Sequence, residues 1–405
     1  MRSDWTDERS WISSLECVNV LEGGDKSGET WRQTLALASQ AVGLSDPNPR
    51  VGCIILSADG QVLGQGHTQQ AGGPHAEVMA LRDAQSKGRD VRGATAYVTL
   101  EPCPHHGRTP PCADALAAAG LGKVLIALSD PNPLVAGQGI DRLRAGGVAV
   151  ELLAPDHAVA QAARELNIGF LSRMVRKRPW VRLKVAASLD GRTALPDGRS
   201  QWITGEAARA DGHAWRARAT AVLTGIGTVL DDNPRLDVRA MPVARQPWRV
   251  VLDSRWRTPV DAALMGADPA DVTVIGLAGA QNGDADTAAR CAALIAAGVH
   301  AIDLPAGADP ARIDLGEMLA YLARRGVNEL HVEAGARLNA AFIQGGWVDE
   351  LLVYLAPSVI GPGLPFADLG LLPDLAAAKR FEWRDMARVG DDLRLIARSP
   401  GADQF

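Results

Sequence analysis

Between Pro74 and Cys112 the sequence sets a His-x-Glu pair, His75 and Glu77, ahead of two cysteines that each follow a proline, Cys103 and Cys112, with eight residues between them. Imidazole and thiolate are the usual protein ligands of zinc, and a catalytic zinc keeps three of them with a water in the fourth position. His75, Cys103 and Cys112 supply three. For them to share one ion, the fold must bring the starts of two helices and the end of a strand to one point. Glu77 is a poor fourth ligand, because residues two apart on a helix point to different sides. In the first helical turn its carboxylate is placed to take a proton from the bound water, as general acid and base. Cys112 opens the apolar-periodic run "CADALAAAGL", where the helix dipole favours thiolate.

Zinc nucleobase deaminases join His-x-Glu to Pro-Cys-x-x-Cys; here the second spacing is eight. A Cys103–His106 ligand pair is a competing choice, and a closed structural zinc site is another. Glu77 and the missing fourth ligand favour the open site. His105 and His106 then read as lining the substrate mouth.

A chain of 405 residues is too long for one ordinary core, so two domains are expected. The formal net charge of -5 leaves no basic footprint for nucleic acid. Five cysteines, an odd number without a regular framework, fit a reducing compartment, with Cys17, Cys53 and Cys291 as free thiols. The opening "MRSDWTDERSWISS" lacks a signal-length apolar stretch, and no apolar run approaches the about 18 residues of a membrane span. A cytoplasmic protein with no membrane partner is expected.

Residues 1–29 are polar and read as a loosely held extension. From Thr30, "TWRQTLALASQAVGL" has helical spacing. Val51 to Leu56 and Gln61 to Gly66 read as strands joined at Ala58, Asp59 and Gly60 in a hairpin. Before them Asn48, fixed between two prolines, either offers its amide to a ring edge or caps a turn. Helix, strand, helix and strand then alternate to "VAVELL", implying a mostly parallel sheet with helices on both faces. The boundary falls near Met174, where the run Arg173, Arg176, Lys177 and Arg178 reads as a solvated linker. The expected partition is therefore 1–29, 30–174 and 175–405.

The second half alternates in the same way, from a strand at Trp180 to Ala186 to "DELLVYLAPSVIG". A dinucleotide fingerprint is absent, since "GIGTVL" has Leu230 where a third glycine should stand. In "HVEAGARLNAAF" a strand passes through Glu333 into Gly335 and a helix. That helix start either meets a cofactor phosphate or is only a tight turn.

In chain order, "PNPRVGC", "PHAE", "EPCPHHGRTPPC", "SLDGRTA", "SQWIT", "GTVLDDNPRL" and "VEAG" resemble the bifunctional riboflavin-biosynthesis deaminase and reductase family, from about Thr30 to Arg398. The resemblance implies an α/β chain with a cytidine-deaminase-like three-layer domain followed by a dihydrofolate-reductase-like α/β domain. It implies zinc on His75, Cys103 and Cys112, with Glu77 as proton donor, the four residues already chosen from their chemistry. It implies NADPH near Ala186, Trp202, Thr228, Asp232, Ser254 and the segment Gly335, Ala336, Arg337, Leu338, Asn339, Ala340 and Ala341. Substrate would lie near Ser200, Arg216, Leu236, Arg239 and Glu333, with the two arginines suited to phosphate. That substrate would be a diaminopyrimidinone bearing a ribosylamino phosphate, whose ring amino group is replaced by oxygen before the ribosyl group is reduced to ribityl. Lys184 and Asp190, on and just after the first strand of the second half, are candidates to assist protonation in the reduction. A homo-oligomer is compatible with this reading. The rivals are a nucleic-acid base deaminase with a C-terminal binding domain, and a protein that keeps zinc and nucleotide without catalysis. Strongly salt-dependent RNA binding would favour the first, while Glu77 speaks against the second.

Overall fold

A computed structural model of the chain describes residues 26–104, 111–133, 135–266, 268–282 and 284–405. Cys17, most of the N-terminal extension, His105 and His106 lie outside the described residues, and with them the Cys103–His106 alternative. The chain divides into two compact units, one ending at Arg176 and taking in Phe405, the other running from Lys177 to Gln404. No helix among the described residues is long and apolar enough to cross a membrane.

In the first unit α1 (Lys26–Ser39) begins ahead of Thr30, because Glu29 supports its first turn through Arg32 and Gln33. The expected hairpin follows as β1 (Gly52–Leu56) and β2 (Val62–His67), with Gly60 in the left-handed region at φ 87. Then come α2 (Ala76–Ser86), β3 (Thr95–Val98), α3 (Cys112–Ala118), β4 (Lys123–Ile126), α4 (Gln138–Ala145), β5 (Ala149–Leu152), α5 (Ala158–Leu166) and α6 (Ile168–Arg176). The five-stranded sheet has the order β2-β1-β3-β4-β5. Its β3, β4 and β5 are parallel, whereas both pairings of β1 are antiparallel. The sheet is thus mixed rather than mostly parallel, since the short link after β1 can only make a hairpin and the later links carry helices.

Ile55, Ala96, Val98, Val124 and Ile126 of the sheet pack with Ala76, Ala80, Leu116 and Leu143 of the helices. Helix α2 lies unusually close to β2: a Cβ on Gly64 would fall 2.1 Å from the Ala80 carbonyl oxygen, and one on Gly66 2.4 Å from Met79 Cβ. The basic run is not a solvated linker. Arg173 donates to the Pro47 carbonyl at 2.8 Å, and Arg176 lies over the Phe405 ring at 5.1 Å, so both arginines stay in the last turns of α6 with their stems packed.

The second unit contains β6 (Trp180–Ser188), β7 (Arg192–Ala194), α7 (Glu206–Arg218), β8 (Ala221–Gly225), α8 (Ile226–Asp232), β9 (Trp248–Leu252), β10 (Val272–Leu277), α9 (Ala285–Ala296), β11 (His300–Leu304), α10 (Leu315–Arg324), β12 (Glu329–Val332), α11 (Ala336–Gln344), β13 (Glu350–Ala356), β14 (Leu364–Pro365), β15 (Glu382–Val389) and β16 (Asp392–Arg398). Its nine-stranded sheet has the order β11-β10-β9-β8-β12-β6-β13-β16-β15. All of these pairings are parallel except β13 with β16 and β16 with β15. Val181, Leu183, Leu330 and Val332 lie on one face with Leu319, Leu322 and Phe342. The alternate residues Arg182, Glu329 and Glu350 are buried on the other, where Arg182 bonds both carboxylates. One side of the central strands is therefore apolar and the other charged.

Candidate functional site

His75 caps the start of α2 with an extended backbone (φ -78, ψ 169), and Cys112 is the first residue of α3. Cys103 lies in the segment that leaves β3. The fold brings the three together: His75 Nδ1 is 3.3 Å from Cys112 Sγ and 3.6 Å from Cys103 Sγ, and all three donor atoms lie within 4.8 Å of one another. Donors bound to one tetrahedral zinc at about 2.0–2.3 Å stand roughly 3.5 Å apart. The donor set and its spacing therefore fit that ion.

The electrostatics of this cluster follow from burial and shared protons. The pKa of Cys103 is lowered by a hydrogen bond from Cys112, with further help from His75 and the Cys112 backbone N–H. The Cys112 thiol is pushed up by the proton it shares with Cys103, by burial and by Glu77. Zinc binding would take the remaining proton from the sulfurs. Glu77, 3% exposed, has its carboxyl pushed up to about 7, chiefly by burial. A carboxyl poised near neutrality can both accept and return a proton.

Glu101, the first residue of "EPCPHHGRTPPC", is central to this end of the sheet. Its buried carboxylate accepts from Ser129 Oγ at 3.1 Å and from the backbone N–H groups of Asp130, Gly137, Gly139 and Ile140 at 3.2, 3.1, 3.0 and 3.3 Å. It ties the loop before α4 to the segment that carries Cys103. In the sequence it stands at the head of that motif and at the end of an apolar strand, which does not disclose its backbone partners. Asn48 is half-buried in a turn, where its backbone N–H donates to the Ser45 carbonyl at 2.9 Å.

In the second unit Glu333 follows β12 and is gripped at both carboxylate oxygens by Arg216, Oε2 at 2.8 Å. Arg216 also donates to the Asp237 carbonyl at 3.0 Å, and Arg239 to Asp237 Oδ1 at 2.9 Å. Leu236, buried beside them, has φ 53. Lys184 on β6 has its pKa lowered by burial, with Glu333 raising it and Arg216 lowering it. Those residues of the expected substrate cluster are brought together. Asp190 is engaged elsewhere, accepting from Ser188 Oγ at 2.6 Å and from the N–H groups of Ile360 and Gly361 at 3.1 and 2.8 Å. These bonds hold its pKa at about 2, so at neutral pH it has no proton to give.

Of the expected cofactor contacts, Thr228 in α8 and Gly335 at the start of α11 are neighbours, with Thr228 Oγ1 3.9 Å from where a Gly335 Cβ would stand. Leu338 closes on Gly225 in the same way, at 3.2 Å. Asn339 instead points inward, donating to the Phe366 carbonyl at 2.7 Å, and Ala340 is buried. Ala186 is half-buried on β6, Asp232 ends α8, and Ala336, Arg337 and Ala341 lie on α11. Ser200 and Trp202 lie between β7 and α7, Trp202 exposed with Arg209 at 4.6 Å over its ring, and Ser254 follows β9.

Two family profiles match the chain. The "Cytidine and deoxycytidylate deaminase zinc-binding region" covers residues 26–128, and the "RibD C-terminal domain" residues 179–394. The riboflavin biosynthesis protein RibD of Escherichia coli is 41% identical over 378 residues, 90% of this chain and 96% of that protein. The chain belongs to the RibD family. RibD of Aquifex aeolicus is 37% identical, covering 89% of this chain and 94% of that one. Among solved structures, RibD of Acinetobacter baumannii shares 39% identity with a TM-score of 0.79, covering 95% of this chain and 99% of that one. A Thermotoga maritima diaminohydroxyphosphoribosylaminopyrimidine deaminase and 5-amino-6-(5-phosphoribosylamino)uracil reductase shares 29% with a TM-score of 0.77 and the same coverage. As a RibD family member, the chain is a bifunctional enzyme of riboflavin biosynthesis that acts on a small molecule. It joins a zinc-dependent deaminase, which is a hydrolase, to an NADPH-dependent reductase. The expected pairing of a cytidine-deaminase-like and a reductase fold holds, and a nucleic-acid base deaminase is not favoured.

Proposed function

We propose that residues 30–174 deaminate a diaminopyrimidinone bearing a ribosylamino phosphate, and that residues 175–405 reduce the deaminated product to its ribityl form. The observation that carries this is the cluster of His75, Cys103 and Cys112 within 4.8 Å, with the buried carboxyl of Glu77 beside it. When bound by these three side chains, zinc supplies Lewis acidity that lowers the pKa of water to about 7. Glu77 accepts a proton from the attacking water and gives it to the ring nitrogen, then carries the second proton of that water to the departing amino group, which leaves as ammonia. Water enters, ammonia leaves, and the ring carbon exchanges nitrogen for oxygen. Asn48, its amide in the turn ahead of β1, meets the edge of the ring.

In the second half NADPH supplies hydride, held by Ala186, Trp202, Thr228, Asp232, Ser254 and, at the start of α11, Gly335, Ala336, Arg337, Leu338 and Ala341, whereas Asn339 and Ala340 are turned into the protein. Lys184 gives the proton that lets the sugar ring open to the imine, a role open to it because burial weakens its hold on that proton. Glu333, Ser200 and Leu236 orient the substrate. Arg216 is committed to Glu333, so Arg239, half-exposed, is the better placed of the two to meet the phosphate. The enzyme works in the cytoplasm and as a homo-oligomer. Supplying the diaminopyrimidinone phosphate with and without NADPH, and identifying products by mass, tests the scheme. Deaminated material alone without NADPH and the ribityl product with it are expected; neither product would overturn the reading.

A further inference from the structure

Glu329, His331 and Glu333 alternate along β12 and just beyond it, so their side chains leave the sheet on one face. Arg182 and Arg218 hold Glu329 at 2.9 and 2.8 Å, and Arg216 grips Glu333. Between the two carboxylates His331 is fully buried, and neither ring nitrogen has a well-formed hydrogen bond. Its Nε2 stands 3.4 Å from Glu333 Oε1, close enough to attract a carboxylate once the ring carries a second proton. Buried polar groups without partners are rare, and one beside a substrate carboxylate calls for a reason.

The charged groups around the ring come from three elements. Its own strand contributes Glu329 and Glu333. β6 contributes Arg182, which is in register with His331, and Lys184, which acts on Glu333 and Arg216. α7 contributes Arg216 and Arg218, whereas β8 places the uncharged Val222 opposite. We propose that His331 is a positioning residue of the reductase half: neutral, it leaves Glu333 to Arg216 and substrate, and protonated, it draws Glu333 Oε1 to itself and weakens substrate binding. This deepens the reading of Glu333 as a substrate contact and rests on it. Burial first, and Arg182 and Arg216 after it, lower the His331 pKa against the pull of Glu333, so the change falls below the ordinary histidine range.

The test is steady-state NADPH oxidation by the full chain on the deaminated substrate across the acid range, for the parent, His331→Gln and His331→Phe. In the parent, KM rises as pH falls, approaching about tenfold per pH unit, while kcat changes little. In both variants that rise is lost. Comparing variant with parent at each pH cancels the titration of the substrate phosphate. An acid rise of KM that persists in the variants overturns the proposal, as does its absence from the parent. If neither variant folds, the ring-nitrogen NMR signals of the parent decide: His331 must titrate over the window in which KM changes, and a ring that stays neutral there overturns the proposal. Glu333→Gln separates the two readings. If it leaves KM unchanged, Glu333 is not a substrate contact; if it raises KM while the His331 variants keep the parental profile, only the role of His331 fails.

Discussion

The two halves concentrate their chemistry differently. In the first, three donors and one carboxyl meet where two helices begin and a strand ends, and spacing along the chain announces them. In the second, the residues proposed to act on substrate, Lys184, Arg216, Arg239 and Glu333, come from separate elements, and the Arg216–Glu333 pair spans 117 residues of sequence. A metal site gathers few residues at one point, whereas a site for a large cofactor and a phosphorylated sugar is spread across the ends of several strands.

The comparison breaks most sharply on the metal. Cys112→Ser should lose zinc and abolish ammonia release, while NADPH oxidation with deaminated substrate continues; zinc content and the two assays check it. Loss of both activities would mean that the halves are not separable. Glu77→Gln should keep zinc and slow deamination by about a hundredfold to ten-thousandfold. Ample residual ammonia release would remove Glu77 from the chemistry. Lys184→Ala should lower kcat for reduction by about a hundredfold, and an unaltered rate would leave the second half without its proton donor.

The smallest effect concerns Asp190. Folding depresses its pKa to about 2, so its contribution to stability is complete above the ordinary carboxylate value and is lost as pH falls through about 2. Asp190→Asn should therefore lower the urea midpoint at neutral pH, with the gap from the parent closing in acid. A gap independent of pH would show that the carboxylate charge is not responsible.

Much of the first half is legible in the sequence because its signals are local. Ala58, Asp59 and Gly60 require a hairpin, the proline before Cys103 follows the end of a strand, and the proline before Cys112 marks the start of a helix. The β15–β16 hairpin escapes that reading, because β15 is a largely exposed edge strand with charged residues on its open side. Its turn at Gly390, with φ 63, is the one signal that could have found it. Glu101 escapes because its partners at Ser129, Asp130, Gly137, Gly139 and Ile140 are set by the tertiary fold. The basic run ending α6 misleads for the opposite reason: a cluster of charges suggests solvent until Pro47 and Phe405 are seen beneath it. His331 looks like any polar interruption of a strand until the sheet stacks it between two carboxylates.

Gly64 and Gly66 seat α2 against β2 with no side chain between them, and the head of that helix carries His75. Anything larger at either place would act as a wedge, tilting the helix about its far end and swinging the imidazole out of reach of the sulfurs. The deaminase thus depends on clearance at two positions that never meet the ion, and metal affinity in Gly66→Ala would serve as a gauge of that tilt.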